Sequence, residues 1–259
     1  MAAVPSGFMA RNNFFYRYEE ANCFRLKSKE HRERAETLEG REGITENPQF
    51  TKGEATNQFS ISNCYARISV LFFFFSLEAL ANWILLHLSD LGYEDKVHEI
   101  IWSRSITDKF KRLHRVCPGM SAPIPMGQKP YQCLSELEEI RHSFGHSRIV
   151  PTQFRIVNVE TQALGDELDH TVRLKGDLSR FNFSGLFKDI YSLNYESAND
   201  AKSIVDEIVE DLDRRFNREL TKSQEGRDSQ SWLRSPARIY KPDSDRLAFI
   251  RSVFEKGPP

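Results

Sequence analysis

The segment from Ile68 to Leu86 constrains this chain more than any other. It is almost wholly apolar and about long enough to cross a bilayer. Glu78 and Asn82 fall in its middle, one helical turn apart and on one face. A carboxylate in mid-membrane is costly without a partner, so two readings arise: a membrane span or a buried bundle helix. No other stretch is as hydrophobic, and its apolar residues go all round the helix. That distribution suits a central element touched on several sides. We therefore expect a soluble, cytoplasmic bundle with no membrane partner.

The chain has 259 residues, of which 12% are aromatic, including 19 Phe, and that is enough to pack a core around such a helix. Net charge is −1 at a sequence pI near 6.7, so no global positive field holds nucleic acid. Any such contact has to come from a local patch. Cys23, Cys64, Cys117 and Cys133 form no C-x-x-C pair and no metal-like spacing with a His. No signal peptide is read at the start, so free thiols in a reducing cytosol are expected, with no metal and no cofactor. Phosphate-binding glycine loops and the G-x-S-x-G and H-E-x-x-H patterns are missing as well. His87, His98, His114 and His170 are scattered and read as structural or surface groups.

Three regions are expected. Residues 1–59 read as an irregular, charged N-terminal extension. Phe14, Phe15, Tyr16 and Tyr18 could dock it, and Lys27 to Arg41 is either a solvated helix or mobile. Residues 60–220 form a helical domain, and residues 221–259 a C-terminal extension with a short helix near Asp245–Phe254. Within the domain, Ser60 or Ser62 would cap the central helix, which stops near Ser89–Gly92. A second helix runs over Glu94–Val116, with cations in its C-terminal half that complement the helix dipole, Lys109 among them. After a Pro- and Gly-rich loop, Leu134, Leu137, Ile140 and Phe144 mark one buried face of a third helix that stops at Gly145. Alternation over 153–175 predicts a small β-hairpin. Ser197 and Asp200 resemble a capping box for a last helix whose stripe runs from Ile204 to Phe216. The expected fold class is mainly α: a bundle of four to five helices with a small β-hairpin insertion.

Chemistry is suggested by the end of the third helix. Arg141 and His146 are five residues apart, with His142 directly after the Arg. Arginine offers a planar, permanently charged fork for phosphate, and histidine exchanges a proton near neutral pH. Together they are a minimal set for cutting RNA without a metal. One group activates or orients the ribose 2′-hydroxyl; the other stabilises charge on the phosphate. On a regular helix the two would point about 140° apart. Either Gly145 ends the helix and lets His146 swing round, or two chains meet and each supplies an Arg and a His. Arg148 and Arg155 would make such a cleft basic. The plainer alternative is that Arg141 and His146 are surface cations at a helix end, where cations are favoured anyway.

The run from Leu137 to Arg148 resembles the motif segment of the HEPN family (higher eukaryotes and prokaryotes nucleotide-binding domains). That segment is an apolar helix followed by Arg, a polar residue, three further residues and His. The stretch from Ser76 to Asn82 resembles the family's first long helix, and Asn199–Phe216 lies where its last helix would. The resemblance spans residues 60–220 and leaves the first sixty and last forty residues unaccounted for. It implies a helical bundle that forms a homodimer with the motif near the two-fold axis. It also implies a metal-independent endoribonuclease of toxin–antitoxin or phage-defence type, with RNA as substrate and an antitoxin or regulatory protein as a further partner. Arg141 and His146 would be catalytic, and His142 the polar motif residue. Arg148 and Arg155 would bind RNA. Glu78 and Asn82 would support the site, or else form a buried polar pair that satisfies itself between helices. Some members have lost activity and serve as binding modules, so a catalytically inactive interaction domain is the other reading.

Overall fold

The computed structural model describes residues 8–40, 48–88, 99–102, 104–145, 154–164, 167–176, 179–218, 220 and 237–240. Side chains are described for 12–40, 52–88, 99–102, 104–145, 179–218 and 220. The protein is mainly helical. Its principal helices are α1 (Asn13–Glu39), α2 (Pro48–Leu88), α3 (Ile106–Val116), α4 (Tyr131–Gly145) and α5 (Tyr195–Arg215). α2 is the hub and touches α1, α3, α4 and α5. By length and composition, Lys52–Leu88 could cross a membrane, and 61% of its most apolar window is buried inside the fold.

Within the expected irregular extension over 1–59, residues Asn13–Glu39 are helical, which includes most of the stretch for which a solvated helix was one alternative, and α2 begins at Pro48. Asn12 caps α1 by accepting from the Phe15 N–H at 3.3 Å, and the helix then runs for 27 residues against α2. The reason is a repeat of seven. Phe14, Ala21, Ser28 and Ala35 are the buried residues of α1. On α2 the buried small residues Ala55, Ser62, Ser69 and Ser76 recur at the same interval. The helices run antiparallel, and Ser62 Oγ donates to the Ser28 carbonyl at 2.7 Å and Ser69 Oγ to the Ala21 carbonyl at 2.8 Å. The Ser28 and Ser62 hydroxyls also meet at 3.1 Å. Small side chains let the axes approach toward the lower end of the usual ~8–10 Å range. The charges of Lys27 to Glu36 lie outside this seam and pair along the helix as Lys27–Glu30, Arg34–Glu30 and Arg32–Glu36. A parallel set on α1, Tyr18, Arg25 and Arg32, reaches α5 at Asp206, Asn199 and Glu196.

Helix ends differ from expectation in three places. α2 starts at Pro48, which the first turn of a helix tolerates. Ser60 and Ser62 are therefore interior: Ser60 Oγ bonds back to the Thr56 carbonyl, and Ser62 faces α1. The expected Glu94–Val116 helix instead has a new start at Ser105, whose extended backbone and side chain cap α3 at the Asp108 N–H. The cap of α5 is Asn194, not Ser197. Asn194 Oδ1 accepts from the Ser197 N–H at 3.1 Å, and Ser197 Oγ accepts from the Asn194 N–H at 3.3 Å, a reciprocal box one turn earlier. The expected stops near Ser89–Gly92 and the helix near Asp245–Phe254 lie outside the described residues.

Outside the helices, backbone pairing alone is traced. β1 (Phe8–Arg11) runs antiparallel to β4 (Ala237–Tyr240), and β2 (Phe154–Leu164) to β3 (Glu167–Gly176). The expected hairpin insertion over 153–175 falls on this second pair, whose side chains lie outside the described residues.

The Pro- and Gly-rich loop between α3 and α4 is held by α5. Arg215 donates to the Pro123 carbonyl at 2.6 Å and to Asp211, and Asp211 accepts from the buried Tyr131 hydroxyl at 3.0 Å. Burial, reinforced by the Asp211 carboxylate, pushes the Tyr131 phenol well above the ordinary tyrosine range.

Two outcomes are expected. Ser62→Leu places a branched side chain between two close backbones and destabilises the fold by about 2 kcal/mol or more in urea unfolding; Ser62→Ala costs only about 1 kcal/mol. Because the folded pKa of Tyr131 is raised, its contribution is complete below about pH 10 and is lost as pH rises from there toward the folded value. Urea midpoints measured across alkaline pH should fall less steeply for Tyr131→Phe than for the wild type.

Candidate active site

The candidate site is carried by α4 and the helices that clamp it. Tyr131, Leu134, Leu137 and Ile140 are fully buried and Phe144 packs half-buried against the core. The buried face expected from the 134/137/140/144 spacing is therefore the observed one. On the other side Arg141 is exposed, and no hydrogen bond or ion pair holds its guanidinium among the described residues. His142 is half-buried and engaged in an interaction of its own. Gly145 is the last described residue of the helix, with open space where a Cβ would be and no left-handed φ. The helix thus persists to the residue before His146. His146, Arg148 and the side chain of Arg155 lie outside the described residues.

α3 joins α4 to α2 through two polar contacts. Thr107 Oγ1 donates to Glu138 Oε2 at 2.7 Å, one turn before Arg141. Lys109 Nζ donates to Glu78 Oε1 at 3.0 Å. Lys109 is 1% exposed and Glu78 35%, so the ammonium is buried while its counterion reaches the edge of the bundle. Both carboxylates lie beside the first half of α3.

Glu78 and Asn82 are not the self-satisfied pair that one expectation described. Glu78 is taken by Lys109, and Asn82 Oδ1 is buried without a hydrogen-bond partner among the described residues. Neither is bonded to Arg141 among the described residues. Lys109 was expected as a dipole-complementing cation at the end of its helix, whereas it lies in the first turn, inside the bundle. Two signals could have found it: Glu78 amid apolar residues demands a cation, and Lys109 falls on the Ile106/Phe110/Leu113 face. The four cysteines are free thiols, two exposed and two buried. Among the described residues no group of three or more His, Cys, Asp or Glu is placed to hold a metal ion.

Removing the Glu78 carboxylate leaves a buried ammonium unpaired. Fully buried pairs cost about 3–5 kcal/mol when broken this way. Since Glu78 is partly solvated, Glu78→Ala should cost about 2 kcal/mol, measured by urea unfolding. The double variant Glu78→Leu/Lys109→Met should recover most of that loss, because both charges leave together. Compared with family models, curated proteins and solved structures, the chain matches none.

Proposed function

We propose that the protein is a HEPN-like, metal-independent endoribonuclease that acts as a homodimer in the cytoplasm, in a toxin–antitoxin or phage-defence setting. The observation that carries this reading is Arg141: an exposed guanidinium without a partner among the described residues, on a helix anchored by five buried side chains. Such a group is rigidly based and free to bind a phosphate at two points.

In this reading His146, which follows Gly145 in sequence, takes the proton of a ribose 2′-hydroxyl. The oxygen attacks the adjacent phosphorus while Arg141 neutralises the charge growing on the non-bridging oxygens. The bond to the 5′-oxygen breaks, and that oxygen receives a proton. The products are a 2′,3′-cyclic phosphate and a 5′-hydroxyl end. His142 is the polar motif residue, Arg148 and Arg155 hold the RNA backbone, and the 153–175 hairpin is an insertion in the bundle. Glu78 and Asn82 act on the site only indirectly, through the packing of α2.

A second reading, a catalytically inactive HEPN-like binding module, is favoured by one observation: the Glu78 carboxylate is already committed to Lys109. RNA cleavage in EDTA separates the two. The wild type should cut a mixed RNA pool to cyclic-phosphate ends, and Arg141→Ala and His146→Ala should each lower the rate by about 10²-fold or more. No cleavage by well-folded wild type would leave the binding module.

A further inference from the structure

Cations on the long helices are largely spent within the fold. On α1, Lys27 and Arg34 pair with Glu30, and Arg32 pairs with Glu36. On α5, Lys202, Arg214 and Arg218 pair with Asp206, Asp211 and Glu210. α3 is different. Lys111, His114 and Arg115 are exposed and Arg112 is half-buried. Lys111 meets Asp108 at 4.0 Å, the outer limit of an ion pair. No hydrogen bond or ion pair engages Arg112, His114 or Arg115 among the described residues. In a chain of net charge −1 this is a local concentration of unspent cations, the footprint of a polyanion site. We propose that the outer side of α3 binds the phosphate backbone of an RNA strand.

The helix gives these groups a firm base. Ile106, Lys109, Phe110, Leu113 and Val116 bury its inner side, and Ser105 caps its start. Thr107, Lys111 and Arg115 follow one another at four-residue intervals and so share one outer side, flanked by His114 and Arg112. From Thr107 to Arg115 this line covers about 12 Å. It begins beside the helix that carries Arg141, where Thr107 donates to Glu138. Further along α3, Phe110 meets Tyr131 at the start of α4, so the two helices run in opposite directions. The line therefore leads from the Glu138 contact away from the Arg141 end of α4. A strand held by the Arg141 guanidinium has a second set of cations to follow, two of them arginine forks shaped for phosphate oxygens.

The composition of the surface selects the occupant. Thr107, Asp108, Lys111, Arg112, His114 and Arg115 make up the outer side, and none is apolar. A helix that lies on a lipid surface sinks an apolar side into it, whereas the apolar side of α3 is in the core. A protein partner is held by a desolvated centre of aromatic or aliphatic anchors, and this side offers none. A phosphate backbone needs neither. Lysine and arginine supply its affinity through charge and counterion release, without reading sequence. Asp108 is the one acid on this side, and it sits in the first turn, where a negative charge complements the helix dipole.

The inference rests on the reading that this protein meets RNA, and it holds for a nuclease and for a binding module alike. Anisotropy of a labelled, single-stranded 2′-O-methyl RNA in EDTA reads binding without cleavage, because the attacking hydroxyl is blocked. The full-length wild type should bind. Lys111→Gln/Arg115→Gln should weaken binding about tenfold or more and make the slope of log affinity against log salt shallower by about one to two. Its far-ultraviolet spectrum should be unchanged, since both side chains are exposed. Lys29→Gln/Arg34→Gln removes the same charge from α1 and should bind as the wild type does. Equal losses in both double variants would overturn the proposal, because net charge alone would explain them. So would a wild type that does not bind, or binding that survives the α3 substitutions. A wild type that ignores RNA but floats with phosphatidylserine vesicles, and loses this with the α3 substitutions, would assign the surface to lipid instead. Cleavage of unmodified RNA is read separately. A wild type that binds through α3 and cuts nothing loses the nuclease reading and keeps this one; one that cuts while the α3 variant binds unchanged does the reverse.

Discussion

The close antiparallel contact of α1 with α2 is the interaction on which the rest of the structure depends. The centre of its seam is alanine and serine, with aromatic contacts such as Tyr18 on Phe73 and Phe24 on Phe72 beside it. Small side chains bury little area each, but they bring two long backbones together and let serine hydroxyls reach across to carbonyls of the other helix. Register is thereby set by hydrogen-bond geometry as well as by shape, since a hydroxyl buried without a partner is costly. Once this pair exists, α2 has an apolar side left over, and α3, α4 and α5 close on it. α1 also presents Tyr18, Arg25 and Arg32 to α5, so the same seven-residue repeat serves two neighbours.

Within that frame α3 acts as a short polar tie. Residues two apart on a helix point to nearly opposite sides, so Thr107 reaches Glu138 on α4 while Lys109 reaches Glu78 on α2. A buried ion pair adds little net stability compared with apolar residues of similar volume, and its value lies more in specifying one arrangement. Here that arrangement presents Arg141 outward, one turn beyond the Glu138 contact. The reading of the site as a ribonuclease centre rests on that presentation together with the motif spacing.

The stretches legible in the sequence were those with large apolar residues at helical spacing. Leu134, Leu137, Ile140 and Phe144 gave the inward face of α4 residue by residue, and the Ile204–Phe216 stripe gave the body of α5. The packing of α1 was only partly legible, because beyond Phe14 its buried positions are Ala and Ser set among charges, and these carry little hydrophobic signal. The α5 cap was misplaced by three residues for a related reason: Asn194 and Ser197 are both good capping residues, and only backbone geometry shows which side chain faces the free N–H groups. Of the candidate site, the exposure of Arg141 follows from the periodicity of α4. The engagement of Glu78 by Lys109 does not, since the two are 31 residues apart.

By itself, then, the sequence determined the local terms: a mainly helical chain, a central apolar helix, and one amphipathic helix that carries Arg141 near its end. These depend on the spacing of residues within one element, which a single helix expresses without its neighbours. The tertiary structure alone decided that α1 belongs to the core and that Lys109 is buried against Glu78. Each of these depends on which side chains of distant segments come to face one another. That is settled by how closely two helices can approach, and this approach is a property of the pair.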